Sequence, residues 1–352
     1  MVERARSFLL CSTIVSVACS TPPQAPAPKS KPHAESGTVA EAKAEPAAPT
    51  EVEAPPAAES TAGADWPIPK PELSQAPAGE ETVTLIEAGA EPHEALRFSP
   101  RAGRARTVAL SMQMQVAMTL GDKPIDPSVL PAVNVEMQVK PGPAKEGVSP
   151  FAFEVLSASR ESLDSASERL KTAMDTAVEG MKDSKGSFSF DARGRRAAAD
   201  YGLPEVPTPG LRPSLAGFQQ SFSQLFVVFP EQAVGVGAKW SSTSHFELSG
   251  IPIEQRATYT LESRDADTVR LAVSFEQSAT GEAAAPSGVA LEDTRFGGRG
   301  SGSLSVRLDS PFPIEAQAQS RSRVQSSVTM GGQAQPVEMD LLSTLSIAAP
   351  PA

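Results

Sequence analysis

The stretch RTVALSMQMQVAMTL, residues 106 to 120, alternates without a break. Val108, Leu110, Met112, Met114, Val116, Met118 and Leu120 hold the even positions, while Thr107, Ala109, Ser111, Gln113, Gln115, Ala117 and Thr119 hold the odd ones. Successive side chains of a strand point to opposite faces, so this run predicts a strand with one buried and one wet face. At about 3.3 Å per residue it reaches about 50 Å, well beyond the usual ~20 Å, so the strand must bend across a curved sheet.

The same alternation recurs on both sides of it. Val133/Val135/Met137/Val139, Phe151/Phe153/Val155, Phe188/Phe190, Trp240/Phe246/Leu248, Tyr259/Leu261, Val269/Leu271/Val273/Phe275 and Leu304/Val306/Leu308 each mark a further strand. Two long runs close the chain, Ile314 to Met330 and Val337 to Ile347, across Gly331-Gly332, a dipeptide suited to the positive φ angles of a hairpin turn. From Ile314 to Ser322 the apolar face is mostly Ala and Ser, small enough for something to pack closely on it. Only two segments carry helical spacing. Ser165-Ala-Ser-Glu168 has the form of a capping box and is followed by Leu170, Met174, Ala177 and Met181. A second helix fits Ser214 to Val228, between Pro213 and Pro230, with Phe218, Phe222, Leu225 and Phe229 on one stripe. The expected fold class is therefore mainly β with two amphipathic helices (α+β). Residues 81 to 352 would form a large curved antiparallel sheet or half-open barrel with both helices docked on it. Gly186-Ser-Phe-Ser-Phe190 and Gly302-Ser-Leu-Ser-Val306 echo one another at strand starts, which raises the idea of two similar halves.

Upstream of residue 81 the composition changes. The chain opens MVERARSFLLCSTIVSVACS, a net-positive start followed by an apolar core from Phe8 to Ala18. Those about 11 residues are too short for the roughly 20 that span a bilayer, and they have the length of a secretory signal's apolar region. Residues 1 to 19 are read as that signal, with cleavage near Ala18. Residues 20 to 80 are rich in Pro, Ala and Glu and cannot bury enough apolar surface to offset the entropy of ordering, so they are read as a disordered tether. Extended, about 60 such residues reach on the order of 190 Å, and as a flexible coil about 45 Å.

Composition excludes several functions. The formal net charge of -11 leaves no electrostatic footprint for nucleic acid. The two cysteines, Cys11 and Cys19, both lie in the export segment, so a mature chain cut before Cys19 has neither a disulfide nor a cysteine metal site. His33, His93 and His245 have no metal-ligand spacing and read as solvated surface residues; no G-x-S-x-G elbow occurs. No cofactor and no enzymatic activity are expected. Gly297-Gly-Arg-Gly-Ser-Gly302 leads into a strand, where a phosphate loop needs a helix, and reads as a flexible loop. Gly235-Val-Gly-Ala-Lys-Trp240 reads as a turn that positions Trp240. Arg193, Arg195 and Arg196 form a basic cluster, either a solvated hairpin or a contact for anionic headgroups. Met112, Met114, Met118 and Met137, with Phe218 and Phe222, are the candidate ligand pocket, because methionine adapts to varied apolar ligands; ordinary core packing is the other reading. Aromatics at 5% are too sparse for the girdles of a transmembrane barrel.

Ser16-Val17-Ala18-Cys19 resembles the lipobox of bacterial lipoproteins, in which small residues precede the acceptor cysteine, although Ser16 stands where Leu is usual. The resemblance implies lipidation of Cys19 and a membrane partner held through that anchor; a free thiol after ordinary cleavage is the alternative. Ser20 in place of Asp implies, by the same resemblance, sorting to the outer membrane of a Gram-negative bacterium. The Ala-rich, Arg-over-Lys composition suits lipoprotein domains of high-GC members of that group. The order of long strands and two helices over residues 81 to 348 also resembles the half-barrel of bacterial lipoprotein carriers, whose concave face holds acyl chains beneath helical lids. Two functions are thus in view. One is an envelope module that binds a protein or cell-wall partner without catalysis, and the other is a periplasmic carrier of lipid or another hydrophobic ligand.

Overall fold

The computed structural model describes residues 81–162, 168–182, 184–200, 226–248, 251–279, 291–330 and 333–348, all within one compact unit. Cys19, the signal, the tether, the capping residues 165–167, Phe218, Phe222 and Gly331-Gly332 lie outside them.

Alternation is realised as strand almost everywhere it was read. The elements are β1 (Glu81–Glu87), β2 (Arg106–Leu120), β3 (Lys123–Pro141), β4 (Val148–Arg160), α1 (Glu168–Met181), β5 (Lys185–Asp191), β6 (Arg196–Asp200), β7 (Lys239–Leu248), β8 (Ile251–Asp265), β9 (Thr268–Ala279), β10 (Leu291–Arg307), β11 (Pro313–Met330) and β12 (Gln333–Ala348). They form one open, curved, antiparallel sheet of 12 strands in the order β1-β7-β8-β9-β10-β11-β12-β2-β3-β4-β5-β6. Most neighbours are consecutive hairpins, but β2 pairs with β12 and β1 with β7. The register puts the even side chains of β2 opposite the odd ones of β12, with Leu110 against Ile347, Met112 against Leu345 and Met118 against Met339. One apolar face thus runs across the sheet. On the opposite face β2 and β11 present Gln113, Gln115, Gln317 and Gln319 to solvent, the reverse of a lipid-facing barrel.

Over β3 to β5 and β7 to β9 the inner face is filled by the chain itself. One cluster joins Val135, Met137, Phe151, Phe153, Phe188 and Phe190 of β3 to β5 with Val178 and Met181 of α1 and with Phe226. A second joins Trp240, Tyr259, Leu261 and Leu271 of β7 to β9 with Leu96, Phe98, Val227 and Phe229. The segment Phe226–Phe229 therefore feeds both clusters. Phe98 and Phe229 are both tied to the β5–β6 turn: the Phe98 N–H donates to Ala192 O at 2.7 Å, the Phe229 N–H to Arg193 O at 2.9 Å and Arg193 Nε to Phe229 O at 2.9 Å.

Four sequence expectations change. Residues 214–225 of the second expected helix lie outside the described residues, and Phe226 to Val228 are not helical. All of Phe226, Val227, Val228 and Phe229 are buried, which one stripe of a helix cannot achieve and a non-helical segment between two clusters can. Among the described residues there is one helix, α1, as read from Leu170 to Met181. Gly297 to Gly302 is not a loop but the middle of β10, paired on both sides. Glycine is required there because a Cβ on Gly300 would lie 2.4 Å from the Phe275 ring and 2.5 Å from Gln319 O. Gly302 consequently sits inside a strand, whereas Gly186 sits near the start of one, so the echo does not mark equivalent positions. His245 is not a solvated residue: it is half-buried beside Glu254, with Nε2 3.2 Å from Oε2.

Candidate functional site

The four methionines share the inner face, with distinct surroundings. Met137, opposite Val108, is fully buried among the phenylalanines. Met118 is buried, and Met112 and Met114 are half-buried, Met114 against Val116, Leu130 and Met339. Met137 thus serves the core. The basic cluster turns partly inward: Arg193 is half-buried on Phe229 O, while Arg195 and Arg196 are exposed, and Asp191 Oδ1 accepts from the backbone N–H groups of Arg193 and Arg195. These arginines face Glu81, which is half-buried and bonded to Ser242 Oγ. Burial raises the Glu81 carboxyl above its ordinary value, against the opposing pull of that hydrogen bond and of the three positive charges.

The polar cluster with an accessible cavity lies elsewhere, and the stagger of neighbouring strands creates it. The last rungs of β12 are Ile347 against Ala316 and Ala348 against Ala109. Beyond them Arg106–Val108 of β2 and Pro313–Glu315 of β11 continue with no partner from β12 among the described residues. The notch so formed is a cleft of about 290 Å³. Val108, Val139, Phe312, Ile314 and Ala348 make its apolar wall, and Arg101, Arg104, Arg106, Arg307 and Asp309 supply its charges.

Two fixed turns position those charges. Gly103, at φ 82°, donates its N–H to Pro141 O at 2.8 Å and docks the turn that carries Arg101 and Arg104. After β10 the Ser310 N–H donates to Arg307 O at 2.9 Å and the Phe312 N–H to Ser310 Oγ at 3.3 Å, which fixes Asp309. Arg106 Nη2 donates to both Asp309 oxygens at 2.6 and 2.7 Å, and Arg307 donates through Nε and Nη2 at 3.2 and 3.0 Å. One carboxylate thereby serves two guanidiniums. Arg106 Nη1 is buried without a hydrogen-bond partner among the described residues.

Burial pulls the Asp309 carboxyl up, but the hydrogen bonds and charges of Arg307 and Arg106 outweigh it and hold the group below its ordinary value. A carboxyl depressed by folding stabilises the native state above the unfolded-state value near pH 4, and that contribution is lost as pH falls through the native value. Asp309→Asn is therefore expected to cost about 2 kcal/mol at pH 7, with the difference from wild type shrinking below about pH 4. Urea unfolding across that range checks it; a constant difference would contradict the assignment.

Sequence reasoning missed this notch. Arg101-Ala-Gly-Arg-Ala-Arg106 was visible as three arginines in six residues, but their partners Arg307 and Asp309 lie about 200 residues away, as the separation of Arg106 from Asp309 records.

Comparison with solved structures finds low similarity to large β proteins. A lipovitellin described for its lipid–protein interactions is 10% identical at a TM-score of 0.36, over 72% of this chain and 26% of that one. The chain thus spans about a quarter of the lipovitellin chain. The outer-membrane protein OmpT of Vibrio cholerae is 6% identical at 0.16, over 69% and 99% of the two chains. OccK2 of Pseudomonas aeruginosa, in complex with glucuronate, is 8% identical at 0.17, over 72% and 100%. No protein of curated function matches the sequence. A family of unknown function, DUF6263, matches residues 214–309, a span that carries β7 to β10 and the Arg307–Asp309 side of the notch.

Proposed function

We propose that the chain is a lipid-anchored module of the cell envelope, tethered through Cys19 to the outer membrane of a Gram-negative bacterium, whose β domain binds a partner without catalysis. The observation that carries this reading is the filled inner face. Where a half-barrel carrier would hold acyl chains, Leu96, Phe98, Phe226, Val227 and Phe229 already pack. A scaffold with a solid interior holds a surface in fixed shape, which suits display to a protein or cell-wall partner. Carriage of lipid is the second reading, and the half-buried Met112, Met114 and Leu341 on the far part of the inner face favour it.

Growth with a clickable fatty acid tests the anchor: the wild-type chain is expected to be labelled and a Cys19→Ala chain unlabelled. Equal labelling of the two, or none of the wild type, would overturn it. Native mass spectrometry of the full chain separates the two readings, since a mass of protein plus lipid, lost in a folded Met114→Asp chain, means carriage.

A further inference from the structure

We propose that the notch between β2 and β11 is an oxyanion site that takes a phosphate or carboxylate group on a small or short-chain apolar stem. Four arginines line one small cleft with a single carboxylate among them, in a chain whose overall charge is -11. The local excess of positive charge is therefore set against the rest of the molecule. Asp309 is committed to Arg106 and Arg307 through four hydrogen bonds, so it orients those two guanidiniums and does not neutralise Arg101 and Arg104. Arg101 and Arg104 stand exposed at the mouth. Guanidinium donors in a planar fork match the paired oxygens of phosphate and carboxylate, and positive charge in a cleft with low-dielectric walls attracts anions more strongly than the same charge on open surface. The apolar wall on the other side offers a place for the stem.

The clustering also needs a reason. Like charges gathered around one carboxylate repel one another, and among the described residues Arg106 Nη1 is buried without an acceptor. A bound anion relieves the repulsion. The inference names a ligand class for the binding reading above, yet it holds whether or not Cys19 carries lipid.

The test is calorimetric titration of the full chain, expressed without export so that Cys19 stays unmodified, with inorganic phosphate, acetate and soluble dihexanoyl-phosphatidylglycerol. Saturable binding of phosphate is expected, weakened at least tenfold in an Arg101→Gln/Arg104→Gln chain whose melting temperature is unchanged. Arg307→Gln should also lose binding, with a lower melting temperature because Asp309 is then half-unpaired. Competition between phosphate and the short-chain lipid, with the lipid the tighter, assigns the anion to a lipid headgroup. Binding of phosphate or acetate that the lipid does not displace assigns it to a soluble ligand. Absence of saturable binding by all three probes, or equal binding by wild type and the double variant, overturns the site. A failure of fatty-acid labelling at Cys19 would leave it untouched.

Discussion

Trp240→Ala is expected to remove about 4 kcal/mol of stability, a large fraction of the roughly 5–15 kcal/mol that holds a domain folded. Trp240 is fully buried, stacked on Tyr259 with ring centroids 5.6 Å apart and edge-on to Phe229 at 6.3 Å. Its Nε1–H donates to Val228 O at 3.0 Å, so the ring both fills the second cluster and fixes the segment that feeds both clusters. Alanine leaves a cavity that β7 and β8, held in ladder, can close only partly. The midpoint of urea unfolding measures the loss. Trp240→Phe keeps most of the volume and drops the hydrogen bond, so it should cost about 1–2 kcal/mol; this second variant gives a readable result even if the alanine chain does not fold.

Gly235→Ala should be comparably severe for a different reason. A Cβ at this position would lie 1.6 Å from Ala90 O and 2.8 Å from its carbonyl carbon, so the obstruction is backbone and no rotamer relieves it. The same neighbourhood holds Gly235 N–H on Ala88 O and Ala90 N–H on Val236 O, both at 2.8 Å, which seat the chain after β1 against the turn before β7. Separating them is expected to cost at least about 3 kcal/mol and to make the Ala88–Phe98 stretch susceptible to protease. Gly237 is the control. Its φ is 85° but a Cβ there meets nothing, so Gly237→Ala should cost only about 1 kcal/mol. Only Gly237 has a positive φ, so a loss at Gly235 no larger than that at Gly237 would mean that the close approach to Ala90 does not govern this turn.

These cases show what the sequence discloses. The face of each strand was legible, since alternation in residues 106 to 120 depends only on local geometry, and the turn ahead of Trp240 was legible for the same reason. Neighbours were not. Nothing in an alternating pattern says that β2 lies beside β12, and so the cleft that their staggered register leaves was invisible while its arginines were in plain view. The glycines of β10 were misread because flexibility is the local meaning of such a run, whereas a Phe275 ring lying over Gly300 is a tertiary one. The stripe from Phe218 to Phe229 misled at its end, residues 226 to 228, because helical spacing and a non-helical segment buried between two clusters draw on the same residues. Of the methionines, the shared face follows from period two alone, whereas how densely each is packed is set by partners from α1 and from residues 226 to 229, which the local pattern does not name.

The pairing of β2 with β12 joins residues 109–120 to 337–348. Contacts so distant along the chain cannot form until residues 337–348 have been synthesised, and such non-local pairings form more slowly than the consecutive hairpins around them. During that interval β2 has its apolar face and one ladder edge unsatisfied, a poor nucleus for early collapse. For a chain that crosses a membrane as proposed, this pairing acts as a delay: the β2–β12 seam that joins the two runs of consecutive hairpins closes only once residues 337–348 have arrived on the far side.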